Sequence, residues 1–209
     1  MRYLSKTPES EILANGWVYS SYARRNRQIK QVLATEQLNF CAYSEKYLHP
    51  LDAYDVEHFD DRKKDTPTDD YWNYYAVLHS INSKKKSIEQ FLPILSPHSQ
   101  DLTDRITFED WEFRAVDNAD EEAKNLIEFL NVNGPEIYEE RKDHVERLRF
   151  LMENLGAEQF VSMILRDASY LSFWTAVETM LELEALCIWN LVVQPPKRNG
   201  IKLRIFRHA

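Results

Sequence analysis

Apolar residues recur three and four positions apart along most of the second half of this chain. That spacing predicts helices near 119–130, 136–155, 157–169 and 172–193. The last of these, running through FWTAVETMLELEALCIWNLVV, is apolar almost all round and is expected to lie buried against other helices or a partner. Pro195-Pro196 stops it, and GIKLRIFR reads as a final strand. Near the start, Tyr22, Ile29, Val32 and Leu33 predict an amphipathic helix from about Tyr19 to Glu36, preceded by an extended or irregular arm over 1–15.

The pattern changes between these helices. LNFCAYSEKYLHPLDAYDVEHF holds two short apolar segments around a Pro-containing turn, and Tyr54 and Val56 alternate with Asp55 and Glu57 as in a short hairpin. After the polar loop DDRKKDTPTDD, Asp69 or Asp70 is placed to cap a helix running through YWNYYAVLHSINSKKK, giving the order strand, strand, helix. DRITFEDWEFRAV alternates again and predicts a second small hairpin with a Glu-Asp turn. The fold class expected is α+β, in three parts: an arm and basic helix over 1–37, a strand-strand-helix module over 38–95, and a hairpin with a helical extension and basic tail over 96–209.

Composition narrows the class. With 209 residues and 44% apolar content the chain can fill a core, and four glycines and eight prolines leave little for flexible linkers. MRYLSKTPES has no apolar export segment, and no stretch approaches eighteen uninterrupted apolar residues, so a cytoplasmic protein without a membrane span is expected. Cys41 and Cys187 lie far apart in sequence and fit reduced thiols. The net charge of -8 opposes unaided binding to a polyanion, yet residues 195–209 carry five Lys/Arg and no acid, and SYARRNRQIK carries four more basic side chains.

The stretch from Tyr54 to Ser87 holds the parts that phosphodiester hydrolysis needs: a base for water, ligands for a divalent cation, and a group that fixes the base. His58 titrates near neutrality and is the candidate base. Glu57, its neighbour in an extended segment, points to the other side and can bind a hard cation. Asn73 and Asn82 are nine residues apart, half a turn out of phase on one helix, so they are given separate tasks. Asn82 is the second metal ligand, and Asn73 pins the loop or the imidazole. Lys85 and Lys86, on the face of Asn82, are candidate phosphate binders.

CAYSEKYL, YDVEHF, DYWNYYAVLHSINSKKK and FLPIL together resemble the HNH (ββα-metal) nuclease pattern, in which a zinc-binding C-x-x-C precedes an Asp/Glu-His pair and a later N-(x)7-C-N-x-x-K. DRITFED and EEAKNLIEFLNVNGPEIYEERKDHVERL are similar to the helical extension of PtuB-like subunits of Septu and retron anti-phage defence systems. The resemblance runs from about residue 38 to 150. It implies Glu57 and Asn82 as ligands of Mg2+ or Mn2+, His58 as general base, Asn73 as the orienting asparagine and Lys85 as the trailing lysine. It also implies a DNA or RNA substrate and a PtuA-type ATPase partner.

One departure stands out. Where relatives carry two C-x-x-C knuckles, this chain has Cys41-x-x-Ser44 and Leu78-x-x-Ile81, so three of four thiolates are missing and no structural zinc is expected. Leu78, Ile81, Phe40, Tyr43 and Val77 are expected to replace it by apolar packing, with Cys41 a small buried hydrophobe. The function expected is a metal-dependent endonuclease. The rival readings are an inactive HNH-like scaffold and an RNA-binding module that stacks bases on Tyr71, Trp72, Tyr74 and Tyr75.

Overall fold

The computed structural model describes residue 1 and residues 6–20 and 23–181. The end of the long apolar helix beyond 181, Cys187, the terminal strand and the basic tail lie outside the described residues.

Within the arm, Ser10 caps one helical turn, α1 (Glu11–Ala14), by accepting from Ile12 N, so the segment is not wholly extended. Helix α2 (Ala23–Glu36) buries Ile29 and Leu33 and packs across a two-stranded antiparallel sheet, β1 (Tyr54–His58) and β2 (Tyr74–Leu78). The register pairs Tyr54 with Leu78, Val56 with Ala76 and His58 with Tyr74. Gln37, just past α2, holds the free edge of β2: its amide accepts from Ala76 N at 2.8 Å and donates to Ala76 O at 2.9 Å.

This sheet corrects two expectations. The helix expected through YWNYYAVLHSINSKKK is instead a 3-10 turn at Tyr71–Asn73, strand β2 and a short helix, α3 (His79–Asn82). Tyr74, Tyr75, Ala76, Val77 and Leu78 are all buried, so the run is apolar toward both faces of the sheet. A short run of that kind has no period to separate strand from helix, and its aromatic and branched residues favour the strand. The partner of β1 is therefore β2, while the earlier segment makes only an isolated bridge between Phe40 and Tyr47.

The second hairpin forms over β3 (Ile106–Glu109) and β4 (Glu112–Ala115), after the short helix α4 (Leu102–Arg105). Its turn is Asp110-Trp111, one residue beyond the Glu-Asp pair expected. Both residues have positive φ, 50° and 70°, as a two-residue turn matched to strand twist requires. Four helices follow: α5 (Glu121–Leu130), α6 (Pro135–Leu155), α7 (Ala157–Arg166) and α8 (Trp174–Met180). Asp120 caps α5 by accepting from Ala123 N, and Gly156, at φ 76°, breaks the chain between α6 and α7 in a conformation that glycine adopts without strain. The molecule is thus α+β, with two small sheets among helices.

Two side chains join these parts. Glu45 accepts from Thr175 N at 2.8 Å and from its hydroxyl at 2.7 Å, fastening α8 to the loop that precedes β1. Arg141 of α6 is 1% exposed, lies 5.2 and 5.3 Å from the ring centres of Phe108 and Phe113, and donates to Val132 O and Trp111 O, both at 2.8 Å.

Candidate active site

His58 closes β1 and is 6% exposed. Tyr19 meets its ring edge-on at 4.8 Å and Tyr74, opposite it on β2, at 5.1 Å. Its Nε2 lies 3.2 Å from Asp69 Oδ2, close but off the line of a good hydrogen bond, so this nitrogen is buried without an aligned partner. Burial holds the imidazole below its ordinary pKa, and the Asp69 carboxylate opposes that shift. The ring is accordingly neutral at pH 7, the form a base needs.

Asp69 had been read from the sequence only as a helix cap. Its neighbour Asp70 does that work, accepting from Trp72 N at 3.0 Å, while Asp69 turns inward. The signal for Asp69 lay in its spacing: four residues before Asn73, it reaches the asparagine across one turn. Asn73 Nδ2 donates to Asp69 Oδ1 at 2.9 Å and to Asp60 O at 3.1 Å, and Asn73 Oδ1 accepts from Asp60 N at 2.8 Å. Asn73 thus ties the loop leaving β1 to the turn entering β2, and holds the carboxylate that faces His58.

Glu57 sits on the opposite face of β1, as strand alternation dictates. It is 5% exposed. Its Oε1 accepts from Lys85 Nζ and, at 3.4 Å, from the Tyr43 hydroxyl. Burial raises the Glu57 pKa, with Lys85 working against it. Lys85, expected to bind phosphate, also donates to His58 O at 2.6 Å and to Phe59 O at 3.3 Å. Asn82 ends α3, and its Nδ2 donates to Asp55 Oδ2 at 3.1 Å, where His79 Nδ1 also lies, 2.7 Å away. Lys86 lies 5.7 Å from the Phe91 ring centre.

The residues therefore form two groups, His58 with Asp69 and Asn73 on one side of β1, and Glu57 with Lys85 on the other. Asp55, Glu57 and Asn82 supply oxygen donors of the kind that hard cations take. Among the described residues no three His, Cys, Asp or Glu side chains are arranged to hold a metal ion. The cation at Glu57 is instead an ammonium, that of Lys85.

The knuckle region is packed. Cys41 is buried and accepts from Leu78 N at 3.4 Å, with Phe40, Tyr43 and Val77 also buried. Of the four aromatics of the expected stacking platform, Tyr71, Tyr74 and Tyr75 are buried in the core and Trp72, at 38%, is exposed.

Burial also lowers the pKa of His98 and His144 below the ordinary 6.5, as it does for His58. In the unfolded chain these rings bind protons more readily than in the folded one, so stability is full above about pH 6.5 and is lost as pH falls through that value. The urea midpoint is expected to be lower at about pH 5.5 than at about pH 7.5; equal midpoints would contradict the buried neutral rings.

Compared with known proteins, the chain matches no family model, no curated protein and no solved structure. No helix of the described residues is long and apolar enough to cross a membrane.

Proposed function

We propose that this chain is a metal-dependent endonuclease of the HNH (ββα-metal) type, acting on nucleic-acid phosphodiester bonds with an ATPase subunit as partner in a defence complex. One observation carries the reading: a buried imidazole at the end of β1 faces a carboxylate that is itself held by an asparagine. Base, orienting acid and fixed loop form the chain of contacts by which a general base is aimed. The order β1, β2, α3 is also the order that the resemblance implies.

Asp69 at Nε2 favours the proton on that nitrogen, which leaves Nδ1 to take a proton from water; Asp69 then stabilises the imidazolium formed. Asn73 keeps both partners in place, and Tyr19 packs edge-on against the ring. Glu57 and Asn82 would hold Mg2+ or Mn2+, which when bound supplies charge stabilisation at the departing oxygen.

Full-length protein incubated with plasmid DNA and with structured RNA, alone and with the co-expressed ATPase, is expected to cleave one of them only when Mg2+ or Mn2+ is supplied. Cleavage unaffected by chelation would remove the metal from this reading. Binding without cleavage under every condition would favour the scaffold, a reading to which the closed Glu57–Lys85 pair also lends weight.

A further inference from the structure

Lys85 stands out because its environment is that of a bound ion. The side chains of Lys85 and Glu57 are 11% and 7% exposed. Among the described residues its ammonium donates to oxygens, the Glu57 carboxylate and the successive carbonyls of His58 and Phe59, and lies 5.3 Å from the Phe129 ring centre. A carboxylate with two carbonyls is the ligand type of a hard cation. Its neighbours in sequence do something different: Lys84 pairs with Glu136 of α6 at the surface, and Lys86 lies by Phe91.

We propose that the Lys85 ammonium is a built-in occupant of the Glu57 cation position and competes there with a divalent ion, so that this chain holds its metal site shut until Lys85 withdraws. The inference rests on reading Glu57 as a cation ligand. Electrostatics makes the competition steep. A buried carboxylate stripped of its ammonium is costly to keep charged, and a cation arriving beside Lys85 meets a like charge. Only one of the two cations fits the cage at a time. Lys85 is carried on the turn that follows α3, where its N donates to Asn82 O, and its ammonium reaches the cage through the side chain, so its withdrawal needs only rotation of that side chain.

The test reads metal binding rather than cleavage, so its failure is separable from failure of the nuclease reading. Mn2+ binding to full-length protein is measured by electron paramagnetic resonance and calorimetry for wild type, Lys85→Met, Lys85→Arg and the double variant Glu57→Gln with Lys85→Met. Lys85→Met is expected to bind Mn2+ roughly tenfold or more tightly than wild type, the scale on which groups around a metal site alter affinity. Lys85→Arg should stay at the wild-type level, and the double variant should lose the gain. If Lys85→Met is unfolded on its own, Mn2+ is expected to fold it, because ligand binding to the native state adds stability. Equal Mn2+ affinity in wild type and Lys85→Met, a gain that survives Glu57→Gln, or a Lys85→Met protein left unfolded at millimolar Mn2+ would each overturn the proposal.

Discussion

His58→Gln is expected to lower the rate of phosphodiester cleavage by about 10²- to 10⁴-fold while leaving the protein folded, as loss of a general base does. Glutamine keeps a polar group in the pocket between Tyr19, Tyr74 and Asp69 but cannot take a proton from water. The change should appear in kcat, with KM little altered, since the proposed role of His58 is to act on water rather than on the substrate backbone. Asp69→Asn should follow in the same direction with a smaller loss, because an amide at Nε2 no longer stabilises the imidazolium. Steady-state cleavage of the preferred substrate by folded variants, checked by circular dichroism, decides this; a His58→Gln enzyme at wild-type rate would take the imidazole out of the reaction.

The largest effect on stability is expected at Arg141. Its guanidinium donates both to Trp111 O at the β3–β4 turn and to Val132 O before α6. Burial lowers its pKa. Truncation to alanine leaves two carbonyls without this donor and a gap beside the packed Phe108 and Phe113 rings, at a cost of about 3–5 kcal/mol. Arg141→Lys keeps the charge but lacks the planar fork that spans both carbonyls, and should fall between wild type and alanine. Urea unfolding at pH 7.5 measures both. A loss below about 1 kcal/mol in Arg141→Ala would mean that the hairpin and the α5–α6 loop do not depend on this bridge.

Particular residues explain how far the sequence could be read. Helices α2, α5, α6 and α7 bury one stripe and expose the other, so their period was visible. The β3–β4 hairpin alternates, so it was visible too, apart from a turn displaced by one residue. Strand β2 is not legible as a strand, because Tyr74 to Leu78 is covered on both faces and shows no alternation. Because this run is a strand, Asn73 and Asn82 do not share a helix: Asn73 precedes β2 and Asn82 ends α3.

The site divides along a similar line. That Asn73 pins the loop leaving β1 was legible, because its amide stands at the far end of that loop and can bond two backbone groups at once. Asp69 was hidden beside Asp70, an identical residue with a commoner task. The Glu57–Lys85 pair spans 28 positions and depends on how α3 turns back toward β1, which no local pattern reports. Lysine triplets in sequence look alike, yet in the fold Lys84, Lys85 and Lys86 meet a surface glutamate, a buried one and an aromatic ring.

The most direct test of the account is chemical rescue of a cavity variant. His58→Gly, folded and supplied with divalent metal and substrate, is expected to be inactive alone and to regain cleavage as free imidazole is added, with a pH dependence that follows the added base. Full activity of His58→Gly without imidazole would contradict the claim that this ring removes the proton from water.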